Sequence, residues 1–153
     1  MSILKLSSFT SPPKAVLDTN TLFQLALRDI LLDLAFMKFF TPYWSQGIFD
    51  ELVNTLSRWR KSKRRGVYQI ISHDEAVALC EDLDRRFPVA MVYGYEPYIQ
   101  QTHNEMDDRH VVAVAIKCEA PIIVTTNIKD FVGIPEDITV MLPDDFLCAL
   151  FRL

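Results

Sequence analysis

The chain has 153 residues, of which 50% are hydrophobic and 24% charged, which excludes a disordered or fibrous protein and suits one folded domain. Its longest apolar runs, at 111–116 and 146–151, have six residues, and its four glycines are far apart, so neither a membrane-spanning helix nor a glycine-rich phosphate loop is expected. The formal net charge of −4 combines a basic segment over residues 58–65 with a remainder of 10 basic and 20 acidic residues, a net of −10.

The first predicted element is a short buried strand that ends in three polar residues. Residues 15–17 form an apolar run with β-branched content, and Asp18-Thr19-Asn20 follows directly. Residues 21–37 keep helical spacing and predict a helix in two pieces around residues 28–29. Residues 39–41 predict a second short strand.

The next predicted helix, over residues 45–60, carries an acidic side chain and leads into the basic segment. Ser45 is a candidate N-cap, and Glu51 lies on the flank of the apolar face of this helix. The six basic residues after it are accompanied by no acidic residue: Arg58, Arg60, Lys61, Lys63, Arg64 and Arg65. Such a segment is either a solvated helix end or a contact for phosphates or an acidic protein partner.

A capping box predicts the start of a further helix. Ser72 is followed three residues later by Glu75, and the helix they open extends to about residue 86. Residues 94–106 contain glycine, proline and asparagine and predict a long loop.

The last third of the chain alternates again between helix and strand. A helix is predicted over residues 108–119, and residues 122–125 form a continuous apolar, β-branched run that is typical of a strand covered on both faces. A loop over residues 126–131 follows, then a strand at 138–141 and a closing helix from Pro143.

This alternation predicts an α/β domain with a parallel sheet, because parallel strands need helical crossovers between them. We interpret residues 1–13 as an N-terminal lead and residues 14–153 as a single domain, since no repeat or composition change divides the chain.

Acidic side chains from four separate elements are predicted to converge. In an open parallel sheet, sites lie beyond the carboxyl ends of the strands, where Asp18 and the segment 125–130 fall. Glu51 and Asp108 lie near the starts of their helices. Each acid also has an ordinary explanation, as a helix cap, a solvated helix residue or, for Asp130, a turn residue.

Clustered carboxylates repel one another, and a divalent cation removes that repulsion. Mg²⁺ and Mn²⁺ prefer carboxylate and water oxygens, and they can activate water and stabilise the oxygens of a phosphodiester. The chain lacks the CxxC and HExxH spacings of zinc sites. Its three cysteines, Cys80, Cys118 and Cys148, are therefore interpreted as buried apolar residues in a reducing cytoplasm.

Four ordered segments resemble the motifs of one family. They are Val16-Leu17-Asp18-Thr19-Asn20, the segment 44–52 with sequence WSQGIFDEL, the segment 107–115 with sequence DDRHVVAVA, and the segment 124–131 with sequence VTTNIKDF. The first motif alone is weakly diagnostic, but the ordered set is similar to the PIN domain family, and within it to the VapC toxin-like ribonuclease subgroup.

The resemblance implies a three-layer PIN-like fold with a short parallel central sheet flanked by helices. It also implies an endoribonuclease that depends on Mg²⁺ or Mn²⁺, an RNA substrate, an antitoxin partner that occupies the cleft, a homodimer and a cytoplasmic location. The implied metal-binding and catalytic residues are Asp18, Glu51, Asp108 and Asp130. The implied supporting polar residues are Thr19, Asn20, Thr126 and Asn127, with Asn127 an alternative to Asp130 beside the ion.

Two other functions remain open from the sequence. One is a catalytically weak PIN-fold module that binds RNA or protein. The other is a phosphotransfer domain with an aspartyl nucleophile. A receiver-like form has an order of acids and a late lysine that are not evident here, and a haloacid-dehalogenase-like form would require a second aspartate two residues after Asp18. Asn20 occupies that position and argues against this function.

Overall fold

The computed structural model describes residues 11–152, so most of the predicted lead over residues 1–13 lies outside the described residues. The strands there are β1 Lys14–Leu17, β2 Thr41–Tyr43, β3 Arg60–Ser62, β4 Gly66–Tyr68, β5 Ile122–Val124 and β6 Thr139–Met141. The α-helices are α1 Thr19–Phe23, α2 Leu25–Phe36, α3 Gln46–Ser57, α4 His73–Arg86, α5 Arg109–Cys118 and α6 Pro143–Phe151. Short 3₁₀ turns cover Glu96–Gln101, Met106–Asp108 and Ile128–Phe131.

The main sheet has four strands in the order β2-β1-β5-β6, and all neighbouring pairs are parallel. The two central strands are buried because they are apolar on both faces, and helices cover them. Val16 is paired with Tyr43 on one side and with Ile123 on the other. This arrangement confirms the predicted α/β fold with a short parallel sheet flanked by helices.

Parallel pairing places the residues that follow β1 and β5 side by side. The backbone N–H of Asp18 donates to the carbonyl of Val124 at 3.1 Å, and the N–H of Thr125 donates to the carbonyl of Met141 at 3.0 Å. The hydrogen-bond ladder thus continues one residue beyond each strand. Asp18 and Thr125 therefore share the carboxyl edge of the sheet.

The predicted break at residues 28–29 of the first helical segment is misplaced. The chain is helical through Arg28 and leaves the helical conformation at Gln24, whose backbone is extended between α1 and α2. The Arg28 guanidinium donates to the carbonyl of Leu22 at 2.7 Å, which satisfies one of the orphan carbonyls at the end of α1. That stabilising contact is not visible in the hydrophobic spacing.

The second strand lies two residues later than predicted. It spans Thr41–Tyr43 and includes Pro42, which lacks a backbone N–H. Proline is tolerated because β2 is an edge strand of the sheet. Phe40, which the sequence placed in the strand, instead packs its ring edge-on against Phe146 at 5.0 Å between ring centroids.

The basic segment folds as a hairpin and not as a helix end. Ser45 is confirmed as the N-cap of α3, since its hydroxyl accepts the Ile48 N–H at 3.2 Å, but the helix ends at Ser57. Strands β3 and β4 then pair antiparallel, and Gly66 after the turn has a φ of +69° that favours glycine. We call residues 58–68 the basic hairpin.

Three smaller predictions have mixed outcomes. The capping box of Ser72 and Glu75 is confirmed at the start of α4. The predicted loop over residues 94–106 contains a 3₁₀ turn that packs against α5. Cys80 is buried, but Cys148 is exposed, so the interpretation of all three cysteines as buried residues is wrong. Among the described helices, none combines the length and the apolar character needed to cross a membrane.

Candidate active site

Asp18 is a buried carboxylate held in a fixed orientation at the end of β1. Asp18 is only 3% exposed. Oδ1 accepts the backbone N–H of Thr19 at 2.8 Å, which makes Asp18 the N-cap of α1. Oδ2 accepts the Thr125 hydroxyl at 2.9 Å and the Asn20 amide at 3.3 Å. Burial raises the pKa of Asp18, although the hydrogen bonds from Thr125 and Thr19 oppose that rise.

Thr125 is the supporting residue that the sequence analysis missed. It is fully buried, and its hydroxyl accepts the Asn20 amide and the Asn127 N–H, each at 3.1 Å. Thr126 donates only its backbone N–H, to Asn20 Oδ1 at 3.0 Å, and its own side chain is exposed. Thr125 had been counted as a strand residue, but its position as the first polar group after a buried apolar run was the available signal.

Glu51 lies on α3 and faces the same edge of the sheet as Asp18. Its Oε1 lies 2.8 Å from His110 Nε2, and its Oε2 accepts the Thr19 hydroxyl at 3.0 Å. Burial alone would raise the pKa of Glu51, but the hydrogen bond and charge of His110 and the Thr19 hydroxyl outweigh it and lower that pKa. Glu51 is therefore ionised at neutral pH.

His110 is a second residue whose role the sequence did not predict. Burial would lower its pKa, yet the hydrogen bond and charge of Glu51, followed by the charges of Asp18 and Asp108, raise it. Its Nδ1 is buried and has no hydrogen-bond partner among the described residues. A Cβ on Gly47 would lie 3.3 Å from that nitrogen, so the glycine on α3 allows the close approach of the two elements.

Asp108 lies at the end of a 3₁₀ turn, directly before α5, and its carboxylate is repelled by the charges of the other acids. Burial, then the charges of Asp18, Asp130 and Glu51, raise its pKa to about 7. The preceding residue, Asp107, is exposed. The structure therefore brings Asp108, the predicted acid of the third motif, to the cluster and leaves its neighbour Asp107 in solvent.

A cavity of about 250 Å³ collects these groups. Its lining residues are Asp18, Thr19, Asn20, Phe23, Glu51, Thr55, Asp108 and Asn127. Asp130 is near enough to raise the pKa of Asp108 but does not line the cavity, and neither does Thr126. The structure thus brings Asn127, and not Asp130, to the cavity wall.

The donor set of this cavity fits a hard divalent cation. Its polar donors are carboxylate, amide and hydroxyl oxygens, which Mg²⁺ and Mn²⁺ prefer. Burial and, after it, the charges of Asp18, Asp130 and Glu51 raise the pKa of Asp108, and a bound cation would relieve the repulsion between these charges. Within residues 11–152, no three His, Cys, Asp or Glu side chains already form a metal-binding cluster. The acids therefore line one cavity and influence one another through their charges, but they are not already arranged as a set of metal ligands.

We expect the crowding at Asp108 to appear as a pH dependence of stability without metal. Because its pKa rises from 3.8 to about 7 on folding, the folded chain keeps a proton that the unfolded chain releases between those values. The stabilising contribution is complete below pH 3.8 and is lost as the pH rises through about 7. Asp108→Asn removes this titration, so from pH 5 to pH 8 the variant should gain stability relative to the original chain.

The measurement is the free energy of unfolding by urea at several pH values with EDTA present. His110 also has a raised pKa and contributes a loss in the same direction, but it is present in both proteins, so the comparison largely cancels it. Parallel stability curves for the two proteins would contradict the assignment of a raised pKa to Asp108.

Comparisons with known proteins place this geometry in context. A family model described as "PIN domain" matches residues 14–129. A Mycobacterium tuberculosis protein named "Putative ribonuclease VapC50" is 43% identical over 64 residues, which cover 38% of this chain and 36% of that protein. The match thus spans little more than a third of that relative's length, and it shows what this chain is similar to.

Proposed function

The chain belongs to the PIN domain family, and from that premise we propose that it is a metal-dependent endoribonuclease and the toxin of a toxin–antitoxin pair. The observation that carries the proposal is the meeting of Asp18, Glu51 and Asp108 in one cavity, although they are contributed by three elements far apart in sequence. The similarity to a protein named as a ribonuclease supports RNA as the substrate.

In this proposal Asp18, Glu51 and Asp108 hold Mg²⁺ or Mn²⁺, with Asn127 on the same cavity wall, and Asp130 adds negative charge near Asp108 from outside the cavity lining. When bound, such an ion supplies an activated water and stabilises charge on the phosphate oxygens. The chain's own contribution is orientation, because Asp18 is fixed from three directions by Thr19, Asn20 and Thr125.

The hydrogen bonds around Glu51 determine its charge and its orientation. His110 and Thr19 each engage one of its two oxygens, so the carboxylate is ionised and cannot rotate freely. Asp108 has no side-chain hydrogen bond as a cap of α5 and is the least restrained of the three acids. We infer that Asp18 and Glu51 provide the rigid part of the site and that Asp108 adjusts to the ligand.

The partners remain proposals of the same kind. Large apolar side chains are exposed on or near α2 and α6, among them Leu25, Phe36, Met37, Phe39 and Phe151, and these would favour a protein partner. We propose a cognate antitoxin and a homodimer as the proteins that cover them. We also propose a cytoplasmic location and a single domain over residues 14–153.

The proposal predicts that Mn²⁺ stabilises the folded chain. At a free ion concentration a hundred times the dissociation constant, the free energy of unfolding should rise by about 2.7 kcal/mol. The stabilisation should be larger at pH 8 than at pH 6, because Asp108, with its pKa of about 7, must lose its proton to bind the ion.

A thermal unfolding series with Mn²⁺, followed by addition of excess EDTA, measures this effect. EDTA should reverse the shift completely. If millimolar Mn²⁺ leaves the unfolding temperature unchanged at both pH values, the chain does not bind the cofactor that the proposed reaction needs, and the binding-module function is favoured.

A further inference from the structure

The basic hairpin has no role in the cavity chemistry described above. We propose that it is a binding arm for single-stranded RNA, on which phosphates contact the basic side chains and a base stacks on Trp59. The inference rests on the proposed ribonuclease function for the identity of the ligand, and it adds the conformation of the substrate and the path it takes from the cavity.

The first observation is uncompensated charge. Residues 58–65 contain six basic residues and no acidic one, whereas the rest of the chain has a net charge of −10. In the part of the chain that the structure describes, none of these six cations lies within 4.0 Å of a carboxylate. A compact group of like charges repels itself, so this surface favours a polyanionic ligand.

The second observation is the contact between the hairpin and the cavity. The Arg60 guanidinium lies 5.9 Å from the centre of the Phe23 ring and donates to the carbonyl of Thr55. Phe23 and Thr55 both line the cavity, and Thr55 lies about one helical turn after Glu51 on α3. The base of the hairpin therefore adjoins the cavity rim through Arg60, and an RNA strand that leaves the cavity on this side meets Arg60 first.

The third observation is an exposed aromatic side chain among the cations. Trp59 is 68% exposed and is flanked in sequence by Arg58 and Arg60. Proteins that bind single strands combine aromatic stacking platforms with a basic surface that follows the backbone. A duplex would present phosphates to the cations but would keep its bases stacked inside, away from Trp59.

The hairpin is anchored well enough to position these groups. The Gln69 amide donates to the carbonyl of Ser57 at 2.7 Å, and the Ile71 N–H donates to the carbonyl of Leu56 at 3.2 Å. On the hairpin itself the Arg65 guanidinium lies 4.7 Å from the centre of the Tyr68 ring. These contacts hold the hairpin beside the end of α3, and within residues 11–152 no salt bridge neutralises its cations, so their charge is available to phosphates.

The test measures binding of a labelled oligouridylate to the full chain over a range of salt concentrations, with EDTA present to prevent metal-dependent cleavage. The variant K61Q/K63Q/R64Q removes three exposed cations of the hairpin. The logarithm of affinity decreases as the logarithm of salt concentration increases, and we expect this dependence to be less steep by about 2 in the variant, since each phosphate contact on a single strand contributes about 0.7.

The matched control removes the same charge elsewhere. K38Q/K117Q/R152Q also neutralises three exposed cations, none of which lies in the hairpin or the cavity. Its salt slope should remain that of the original chain. Equal slopes for the hairpin variant and this control would overturn the proposal.

Stacking is tested separately from charge. Trp59→Ala should weaken oligouridylate binding roughly ten-fold, whereas Trp59→Phe should retain most of the affinity because a phenyl ring also stacks. With an abasic oligonucleotide of the same length, Trp59→Ala should have no effect. A loss that is equal for the abasic strand, or an affinity for duplex RNA that matches the single strand, would overturn the single-strand assignment.

The outcomes separate this inference from the proposed function. Hairpin-dependent binding without Mn²⁺-dependent cleavage by the original chain supports the arm and contradicts the nuclease. Cleavage with binding that ignores the hairpin variants supports the nuclease and contradicts the arm. Hairpin-dependent binding of polyglutamate but not of oligouridylate contradicts the arm in favour of an acidic protein partner.

Discussion

Asp108→Asn is expected to reduce Mn²⁺-dependent RNA cleavage at least about a hundred-fold, since even outer groups of a metal site contribute roughly 10- to 100-fold. Asp107→Asn, which removes the same charge one residue earlier, should leave the cleavage rate nearly unchanged because the Asp107 side chain is in solvent and does not line the cavity. The two carboxylates differ in environment, since Asp108 lines the cavity and Asp107 is exposed. The pair therefore tests position and not net charge.

The expected loss is not a loss of folding. Asparagine is close in shape to aspartate. It removes a charge from a partly buried position near other acids, the environment that raises the pKa of Asp108. Asp108→Asn should thus be at least as stable as the original chain above pH 7 without metal. Asp18→Asn should also abolish cleavage, but it disturbs the hydrogen bonds from Thr19 and Thr125 and is the less clean variant.

Cleavage is measured on a labelled single-stranded RNA with Mn²⁺ present and the folded fraction checked by circular dichroism. If Asp108→Asn retains the rate of the original chain, or if Asp107→Asn loses as much activity as Asp108→Asn, the cavity is not the catalytic site.

Trp44→Ala is expected to reduce the free energy of unfolding by about 3–5 kcal/mol, the usual loss when a large buried aromatic side chain is truncated. Trp44 is 0% exposed and directly follows β2, the edge strand of the main sheet. Its ring lies 5.4 Å from that of Phe49 on α3 and 5.8 Å from that of Phe87 after α4, measured between centroids. Truncation leaves a cavity that these neighbours cannot close.

The other tryptophan provides the control. Trp59→Ala should change the free energy of unfolding by no more than about 0.5 kcal/mol, because its ring is mostly in solvent. Urea unfolding followed by circular dichroism measures both variants. A comparable loss for the two would show that the basic hairpin packs against the body of the protein, and it would remove Trp59 as a candidate for stacking.

Local signals in the sequence predicted most of the fold. The apolar run at 122–125 predicted a strand buried on both faces, and β5 is that strand, because side chains on both faces of a central parallel strand must leave water. Ser45 and the capping box at Ser72 predicted two helix starts, since a cap depends only on groups three residues apart. Such rules placed the second strand two residues too early, at 39–41, because they do not allow Pro42 in a strand, and only the edge position of this strand in the sheet makes the proline tolerable.

The basic hairpin shows where composition misleads. Its charges are typical of a solvated helix end. Its strands have three residues each, which is too short for an alternating apolar and polar pattern to be recognised. Their pairing depends on the turn at Gly66 and on contacts of Arg60 with Phe23, a residue 37 positions earlier in the chain. A pattern among neighbouring residues cannot predict a contact between residues so far apart in the chain.

The amino-acid sequence by itself determined which acids were available and that a parallel sheet would bring Asp18 near the end of β5. Only the tertiary structure decided that Glu51 would pair with His110, 59 positions later, that Thr125 and not Thr126 would hold Asp18, and that Asn127 and not Asp130 would line the cavity. The physical reason is that hydrogen-bond partners, burial and charge crowding depend on which side chains fold to within a few ångströms of one another, and local residue patterns do not encode those distances.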